Sequence, residues 1–189
     1  MIVRPLERKD VGEATRILLL SFDRELSTIF GDVYTAGEIL RDFFSRNTEG
    51  CFVAEKDRVL GFSRLSFEKH EISKFLREKL GFLKGSRASL LLKFFLRDPK
   101  KGEAFLDFIA VSPLRRREGV GTAMMKKLIE VAEGKVKRLT CMVRAESDAI
   151  AFFEKFGFEV SSFFENRLAE KYFSSRQWVL LSKDLCASD

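Results

Sequence analysis

Residues 108–132 read FIAVSPLRRREGVGTAMMKKLIEVA, an apolar strand pattern followed by a basic, glycine-containing turn and then a helical pattern. The first N–H groups of a helix lack partners within the helix, and the helix dipole is positive there. Glycine has no Cβ, so Gly119 and Gly121 let an anion approach the backbone closely. Arg116 and Arg117 add positive charge and forked donors. The stretch therefore predicts a strand, a turn and a helix whose start binds an anionic group such as a phosphate.

Two better-known phosphate loops do not match this turn. The dinucleotide-binding pattern GxGxxG needs a third glycine, and Met124 stands at that position. The Gly-Lys-Ser/Thr ending of the P-loop is also missing from the turn. The alternative interpretation is a glycine-rich connection between a strand and a helix, with its arginines in solvent.

Strand and helix patterns alternate along the rest of the chain. Strands are predicted at residues 2–5, 51–55, 59–65, 105–111, 139–143, 158–164 and 178–181. Helices are predicted at residues 10–22, 35–44, 119–134 and 149–156. A helical insertion, residues 69–98, carries two apolar stretches separated by Gly81 and Gly85. The pattern predicts one domain, residues 1–189, built as a mixed α/β layer with an antiparallel N-terminal part.

Composition narrows the class of protein. The chain has 189 residues, of which 46% are hydrophobic, and no stretch approaches the roughly 20 apolar residues of a membrane span. Cys51, Cys141 and Cys186 show no disulfide or metal-binding spacing, so we expect a cytoplasmic protein without a metal or a membrane partner. The net charge of +6 favours an anionic partner. Basic residues alternate with acidic ones, however, which does not favour nucleic acid.

Two stretches resemble motifs of one protein superfamily. Residues 108–132 resemble the central motif of the GNAT superfamily of acyl-CoA-dependent N-acyltransferases, in which a strand ending in AV-x-P runs into Arg/Gln-x-x-Gly-x-Gly/Ala and a helix. Residues 142–160, MVRAESDAIAFFEKFGFEV, are similar to the next motif of the superfamily, AI-x-(F/L)-Y-E-K-x-G-F. The two motifs stand in the superfamily's order. The close resemblance covers roughly residues 103–164.

The resemblance implies a fold and an activity. The fold is an α/β (α+β) GNAT fold, with a central, twisted, mostly antiparallel mixed sheet of about seven strands, flanking helices and the insertion between strands 3 and 4. The activity is transfer of an acetyl group from acetyl-CoA to a primary amine of a small molecule or protein. The alternative is a CoA-binding protein of the same fold that serves as a sensor or binds a partner and transfers little.

The resemblance also implies which residues bind CoA. In the superfamily, backbone amides of the turn hold the CoA pyrophosphate, and the preceding strand pairs with the pantetheine arm. Residues 105–111 and 139–143 would part to form a slot for the thioester. Carried over by position, the implied CoA-binding residues are Ile109, Val111, Arg116, Arg117, Glu118, Gly119, Val120, Gly121, Thr122, Ser147 and Phe153.

The catalytic groups are less fully implied. Phe153 replaces the tyrosine that is the superfamily's usual acid, so water, Tyr34, Tyr172 or no acid at all serves the leaving thiolate. Related enzymes often carry a base on the central strand. Asp107 and Glu103 lie there at even spacing and would share a face unless a bulge intervenes. We predict Asp107 as the catalytic base, the alternative being an acid paired with one of the arginines.

Two further regions bear on the acceptor. Acceptor grooves in the superfamily are generally shaped by segments corresponding here to residues 20–45, 69–98 and 165–176. The apolar stripe of the insertion fits an acceptor wall, a lid, a homodimer contact or plain packing. The only histidine, His70, lies in a charged stretch, residues 68–71, which does not favour a histidine-based metal site or a Ser-His-Asp relay.

Overall fold

The structure is a computed structural model that describes residues 1–185, so Cys186 lies outside the described residues. The strands are Ile2–Pro5 (β1), Cys51–Glu55 (β2), Val59–Ser66 (β3), Glu103–Val111 (β4), Arg138–Arg144 (β5), Glu159–Glu165 (β6) and Gln177–Asp184 (β7). The helices are Val11–Ser21 (α1), Asp23–Phe30 (α2), Val33–Arg46 (α3), Ile72–Leu80 (α4), Phe82–Leu92 (α5), Val120–Ala132 (α6), Ala149–Glu154 (α7) and Arg167–Phe173 (α8).

Within residues 1–185 the strands form one seven-stranded sheet in the order β1-β2-β3-β4-β5-β7-β6. Strands β4 and β5 pair in parallel, and the other neighbours pair antiparallel. The insertion enters between β3 and β4. The mixed, mostly antiparallel sheet flanked by helices confirms the predicted fold class.

Helices cover both faces of the sheet, which explains the nearly continuous apolar run in the central strand β4. On one face, α1, α2, α3 and the insertion bury a core that includes Ile17, Phe44 and Phe62. On the other face, α6 and α7 bury a second core, to which Met125 and Leu128 belong. Strand β4 therefore lies between two apolar layers.

The insertion consists of two helices that pack closely together. Gly81 separates α4 from α5 with a φ of +77°, a backbone conformation that favours glycine. Gly85, by contrast, lies inside α5 and breaks nothing. A Cβ at Gly85 would lie 2.5 Å from the carbonyl oxygen of Leu76, so glycine is needed there for the close approach of α4. Leu76 and Leu91 are buried, which joins the insertion to the core of that face.

The pattern of apolar residues missed the short helices α2 and α8. Helix α2 follows α1 after one residue, Phe22, whose φ of −134° interrupts the helical path. Helix α8 begins after Asn166, whose side chain accepts hydrogen bonds from the backbone N–H groups of Leu168 and Ala169. These helices have only 8 and 7 residues, shorter than the roughly 11–18 residues over which a helical period is recognised.

Candidate active site

Strands β4 and β5 separate part of the way along their length. They pair from Glu103 with Arg138 to Leu106 with Cys141, and no further. Beyond that point β4 continues to Val111 along β3, and β5 continues to Arg144 along β7. A gap edged by the backbones of Ile109, Val111 and Val143 therefore opens in the middle of the sheet, where the sequence predicted a slot.

The basic turn leads directly into an uncapped helix. Gly119 is the N-cap residue of α6 and has a φ of +78°. No side chain caps the first N–H groups of this helix with a hydrogen bond. Arg117 has a φ of +67°, one of two positive values at non-glycine residues in the described chain. Such backbone outliers cluster at ligand-binding turns. The uncapped N–H groups are suited to binding an anion. A Cβ built on Gly119 would have no other atom within 4 Å, so there is space for an anion beside this residue.

The first turn of α6 packs against the second motif. A Cβ at Gly121 would make ordinary contacts with Phe152 at 3.5 Å and with Val111 at 3.6 Å. Val120 is buried, whereas Arg116, Glu118 and Thr122 are exposed. Most of the turn's polar groups thus face solvent, with the helix start held against β4 and α7.

Ser147 and Phe153, the two predicted positions in the second motif, lie beside the gap. The Ser147 Oγ accepts a hydrogen bond of 3.2 Å from the Ala149 N–H at the start of α7. Phe153 is buried, with its ring centroid 5.5 Å from that of Phe152 and 5.3 Å from that of Phe158. Both residues line the cleft described next.

A cleft of about 260 Å³ passes through the gap. On the α7 side it is lined by Ser147, Ala149 and Phe153. On the opposite side it is lined by apolar residues of α1, α2, α3 and the insertion, together with Asp107. Ser147 and Phe153, which are predicted to bind CoA, and Asp107, the predicted base, therefore line the same cleft.

Asp107 occupies a β-bulge. Arg64 on β3 pairs with Phe108, and the next residue, Leu65, pairs with Leu106, which leaves Asp107 without a partner on β3. The bulge reverses the alternation of faces along β4. Leu106 packs in the core under α6, whereas Phe108 packs against Phe62, 4.9 Å between ring centroids, on the other face. Asp107 and Phe108 therefore both face the helices α1–α3 and the insertion.

Three groups contact the Asp107 carboxylate, which is 1% exposed. The Ser66 Oγ donates a hydrogen bond of 2.8 Å to Oδ2, and the Arg64 Nη1 lies 3.4 Å from the same oxygen. The His70 Nε2 lies 2.8 Å from Oδ1. On the other side of the imidazole, Nδ1 lies 3.2 Å from the Asp98 Oδ1, which also accepts from the His70 backbone N–H. The imidazole is thus held between two carboxylates.

The sequence did not indicate that His70 contacts the predicted base. Burial by itself lowers the pKa of His70, but hydrogen bonds and charge from Asp107, with the hydrogen bond to Asp98, outweigh it, so the pKa is raised. The pKa of Asp98 is lowered, chiefly by the hydrogen bond from the His70 backbone. Nothing in the sequence near residues 68–71 indicated this, because the contact spans 37 positions along the chain.

Glu103 shares the face of Asp107 but not its cleft. Its Oε2 lies 3.8 Å from the Arg97 Nη2, and its Oε1 lies 3.8 Å from the Arg138 Nη1. It lines a separate polar groove of about 760 Å³ between the insertion and strands β5, β6 and β7. Of the two acids on the central strand, Asp107 is the one at the gap.

Neither tyrosine lies at the cleft. The Tyr34 side chain is 83% exposed on α3. The Arg87 guanidinium lies over the Tyr172 ring, 5.6 Å from the ring centroid. The structure therefore offers neither tyrosine as a replacement for the acid missing at Phe153.

Among residues 1–185, no group of three metal-ligating side chains comes together. The same residues contain no helix long and apolar enough to cross a bilayer. Cys51 and Cys141 are buried, free thiols. Burial raises the pKa of the Cys51 thiol to about 12, so this residue is an inert part of the core.

Solved structures share this fold. The ribosomal-protein-alanine N-acetyltransferase of Brucella melitensis matches 98% of this chain and all of its own, with a TM-score of 0.67 and 19% identity. The Ard1 protein of Thermoplasma volcanium matches with a TM-score of 0.62 and 21% identity, over 98% of this chain and 97% of its own. The ribosomal-protein-S18-alanine N-acetyltransferase of Escherichia coli matches with a TM-score of 0.58 and 18% identity, over 100% of this chain and 96% of its own. At these identities the likeness establishes the fold, which is that of the N-acetyltransferases.

Sequence comparison then identifies the family. A family model described as the acetyltransferase (GNAT) family matches residues 19–158, and the chain belongs to that family. The cysteine-rich protein 2-binding proteins of Mus musculus and Homo sapiens are 36% identical to the chain over 70 residues. That match covers 37% of this chain and only 9% of the length of these relatives.

Proposed function

We propose that the protein transfers the acetyl group of acetyl-CoA to a primary amine, with Asp107 as the catalytic base. Membership of the GNAT family supports acetyl transfer in general. The observation that carries the finer proposal is the position of Asp107, at a bulge in the wall of the cleft formed where β4 and β5 part. Donor and acceptor would enter this cleft from opposite faces of the sheet and meet beside the carboxylate.

The turn before α6 is suited to the pyrophosphate of acetyl-CoA. The uncapped N–H groups at the start of α6 provide donors and a positive dipole end. Arg116 and Arg117 are exposed beside them and add two positive charges. The backbones of Ile109 and Val111 lie at the gap, where β4 has no partner on that side and can pair with the pantetheine arm. Ser147 and Phe153 would border the arm from α7.

The reaction exchanges one bond for another. The amine nitrogen attacks the thioester carbonyl carbon, the C–N bond forms, the C–S bond breaks, and CoA departs as a thiolate. The amine must lose a proton to become and remain neutral, and Asp107 accepts it. The proton reaches this buried carboxylate either by a direct hydrogen bond from the amine or through one water molecule, the two routes open to a general base. Holding both substrates in one cleft supplies much of the acceleration.

The thiolate takes its proton from water in this scheme. Phe153 stands where relatives carry a tyrosine, and its ring has no proton to give. A thiolate is a good leaving group because thiols are far more acidic than alcohols or amines. The overall balance is then one amide and one CoA thiol for each amine and thioester consumed.

His70 is a positioning residue in this scheme, since it acts through Asp107. Its Nε2 hydrogen-bonds one oxygen of the carboxylate while Ser66 and Arg64 hold the other. Asp98 fixes the far side of the ring. A buried, paired imidazole keeps the carboxylate in one orientation toward the cleft, which proton transfer requires.

A second candidate function is CoA binding without efficient transfer, as in a sensor or a partner-binding protein. Phe153 favours it, because a typical acid is missing. The two buried, free cysteines, Cys51 and Cys141, support a reducing compartment such as the cytoplasm for either function.

Thermal unfolding with acetyl-CoA, followed by a free-thiol assay over a panel of amines, tests the proposal. A ligand at 100 times its Kd stabilises the folded protein by about 2.7 kcal/mol, so binding raises the midpoint. We expect a raised midpoint with acetyl-CoA and amine-dependent thiol release. Stabilisation without thiol release would favour the sensor, and no stabilisation at millimolar acetyl-CoA would contradict both functions.

A further inference from the structure

The wall of the cleft facing α1, α2 and the insertion is almost wholly apolar. Residues from the five helices α1 to α5 and from the segment after α5 surround this part of the cleft. The side chains that matter most here are Leu26, Ile29, Leu40, Ile72, Leu92 and Phe95. An acceptor in contact with this wall gains free energy by burying apolar surface of its own.

The charged groups of the cleft are already paired. Glu25 accepts a hydrogen bond from the Arg144 guanidinium, and Asp107 is paired with Arg64 and His70. Each guanidinium also lies over an aromatic ring, Arg144 over Trp178 at 5.7 Å and Arg64 over Phe43 at 5.2 Å. A second positive charge on the acceptor would therefore be buried without a free carboxylate among the described lining residues, which is costly.

The cleft is also small. Pockets for drug-sized ligands measure roughly 300–1,000 Å³. The cleft measures about 260 Å³, and its α7 side, with Ser147 and Phe153, is needed for the thioester end of acetyl-CoA. The volume left beside Asp107 therefore suits a small apolar body next to the reacting amine.

The cleft and the neighbouring polar groove meet at apolar residues. Ile72, Leu92, Leu96 and Met142 line both spaces. An acceptor in the cleft therefore meets apolar side chains on this side as well.

We infer that the acceptor is a small primary amine on an uncharged, apolar body, of the arylalkyl or branched alkyl class, an inference that rests on the proposed function. Its single ammonium group gives up a proton toward Asp107, and its body contacts the apolar wall. Polyamines, aminoglycosides and peptide N-termini with polar residues behind them fit less well, because the charged groups of the cleft are already paired and the remaining lining is apolar.

Initial rates of CoA thiol release distinguish these acceptors. The probes are 2-phenylethylamine and isoamylamine on one side, and spermidine and an alanine-initiated polar peptide on the other. We expect kcat/KM at least tenfold higher for the two apolar amines. A preference for spermidine or the peptide would overturn the inference while leaving the proposed function standing. No thiol release with any amine, despite acetyl-CoA binding, would remove both.

Two variants connect the preference to the wall. Phe95 and Phe22 both line the cleft, and Phe22 is less embedded in aromatic packing. We expect Phe95→Ala and Phe22→Ala each to raise KM for 2-phenylethylamine at least fivefold and to leave the acetyl-CoA affinity unchanged. Leu83→Ala is the matched control, since Leu83 belongs to the same insertion and its side chain is 82% exposed. Thermal unfolding with acetyl-CoA identifies which variants are folded. An unchanged KM in a folded Phe95 or Phe22 variant would overturn the assignment.

Discussion

The His70 Nε2 and the Asp107 Oδ1 lie 2.8 Å apart, and both side chains are at least nine-tenths buried. One residue begins the insertion and the other stands at a bulge on the central strand. The contact therefore connects the insertion, which lies outside the two GNAT-like motifs, to the cleft. It also makes the stability of the site depend on pH.

Stability should fall as pH rises above neutrality, because the pKa of His70 is raised in the folded protein. The sign follows from linkage: a raised pKa stabilises the fold fully below the ordinary value of 6.5, and the contribution is lost as pH rises through the folded value. The groups that face the ring are Asp107, Asp98 and Arg64. His70→Gln should remove this part of the pH dependence.

Thermal unfolding of the two proteins from about pH 6 to about pH 9 measures the difference, in a range where carboxylates no longer titrate. Lys69→Gln is the control, because Lys69 is the exposed neighbour of His70. If the midpoint of thermal unfolding changed with pH in the same way for the protein and its His70→Gln variant, a charged imidazole between Asp107 and Asp98 would be contradicted.

The same substitution should also slow turnover. Without the imidazole the Asp107 carboxylate loses the partner of Oδ1 and with it one constraint on its orientation. We expect kcat to fall on the order of tenfold, with KM for acetyl-CoA unchanged, since small misplacements of a catalytic group reduce rate more than binding. Steady-state kinetics with both substrates varied would show it, and a change confined to the acetyl-CoA KM would argue for a different role of His70.

Gly119→Ala should weaken acetyl-CoA binding specifically. Gly119 has a φ of +78°, and Gly102, far along the chain from the turn, has a φ of +79°. Neither would bring a Cβ within 4 Å of another residue. Both alanine variants should lose about 1 kcal/mol of stability through left-handed backbone strain.

Only the Gly119 variant places a methyl group at the start of α6, where we propose that the pyrophosphate binds. Titration calorimetry should show about a tenfold loss of acetyl-CoA affinity, equivalent to about 1.4 kcal/mol, in that variant alone. Equal affinities in the Gly119 and Gly102 variants would place the pyrophosphate elsewhere.

Gly85→Ala should loosen the insertion. Its Cβ would lie 2.5 Å from the Leu76 carbonyl oxygen and 2.6 Å from the Arg77 Cα, so α4 and α5 must move apart. Overpacking of this kind costs about 1–3 kcal/mol. Gly12→Ala in α1 is the contrasting control, because nothing lies within 4 Å of its Cβ and alanine favours helix. Denaturant unfolding should move in opposite directions for the two variants, and a stabilised Gly85→Ala protein would contradict this packing.

Much of the fold was predictable because its signals are local. Residues 108–132 carry a strand, a turn and a helix within a single stretch, and the positive φ values at Arg117 and Gly119 stand where glycine and arginine predicted an anion site. The hairpin of β2 and β3 likewise follows from two adjacent apolar runs. Short helices such as α8, capped by one asparagine, have too few turns to show a period.

The catalytic surroundings were less predictable because they depend on distant contacts. The even spacing of Glu103 and Asp107 places both on one face, but it does not show that the strands part only beyond Leu106, which leaves Glu103 outside the cleft. His70 contacts Asp107 across 37 positions of the chain, and its other side is held by Asp98, at the far end of the insertion. The bulge at Asp107 depends on the register with β3 and leaves no trace in residue pattern.

Asp107→Asn, compared with Glu103→Gln, tests the central claim most directly. The two acids lie on the same strand and face, but only Asp107 lines the cleft. With the best amine found and acetyl-CoA affinity measured in parallel, we predict that Asp107→Asn lowers kcat by about 10²–10⁴-fold, the usual contribution of a general base, with acetyl-CoA Kd unchanged. Glu103→Gln should keep a near-normal kcat. An Asp107→Asn protein with unchanged kcat and an unchanged pH profile would contradict the assignment of Asp107 as the base.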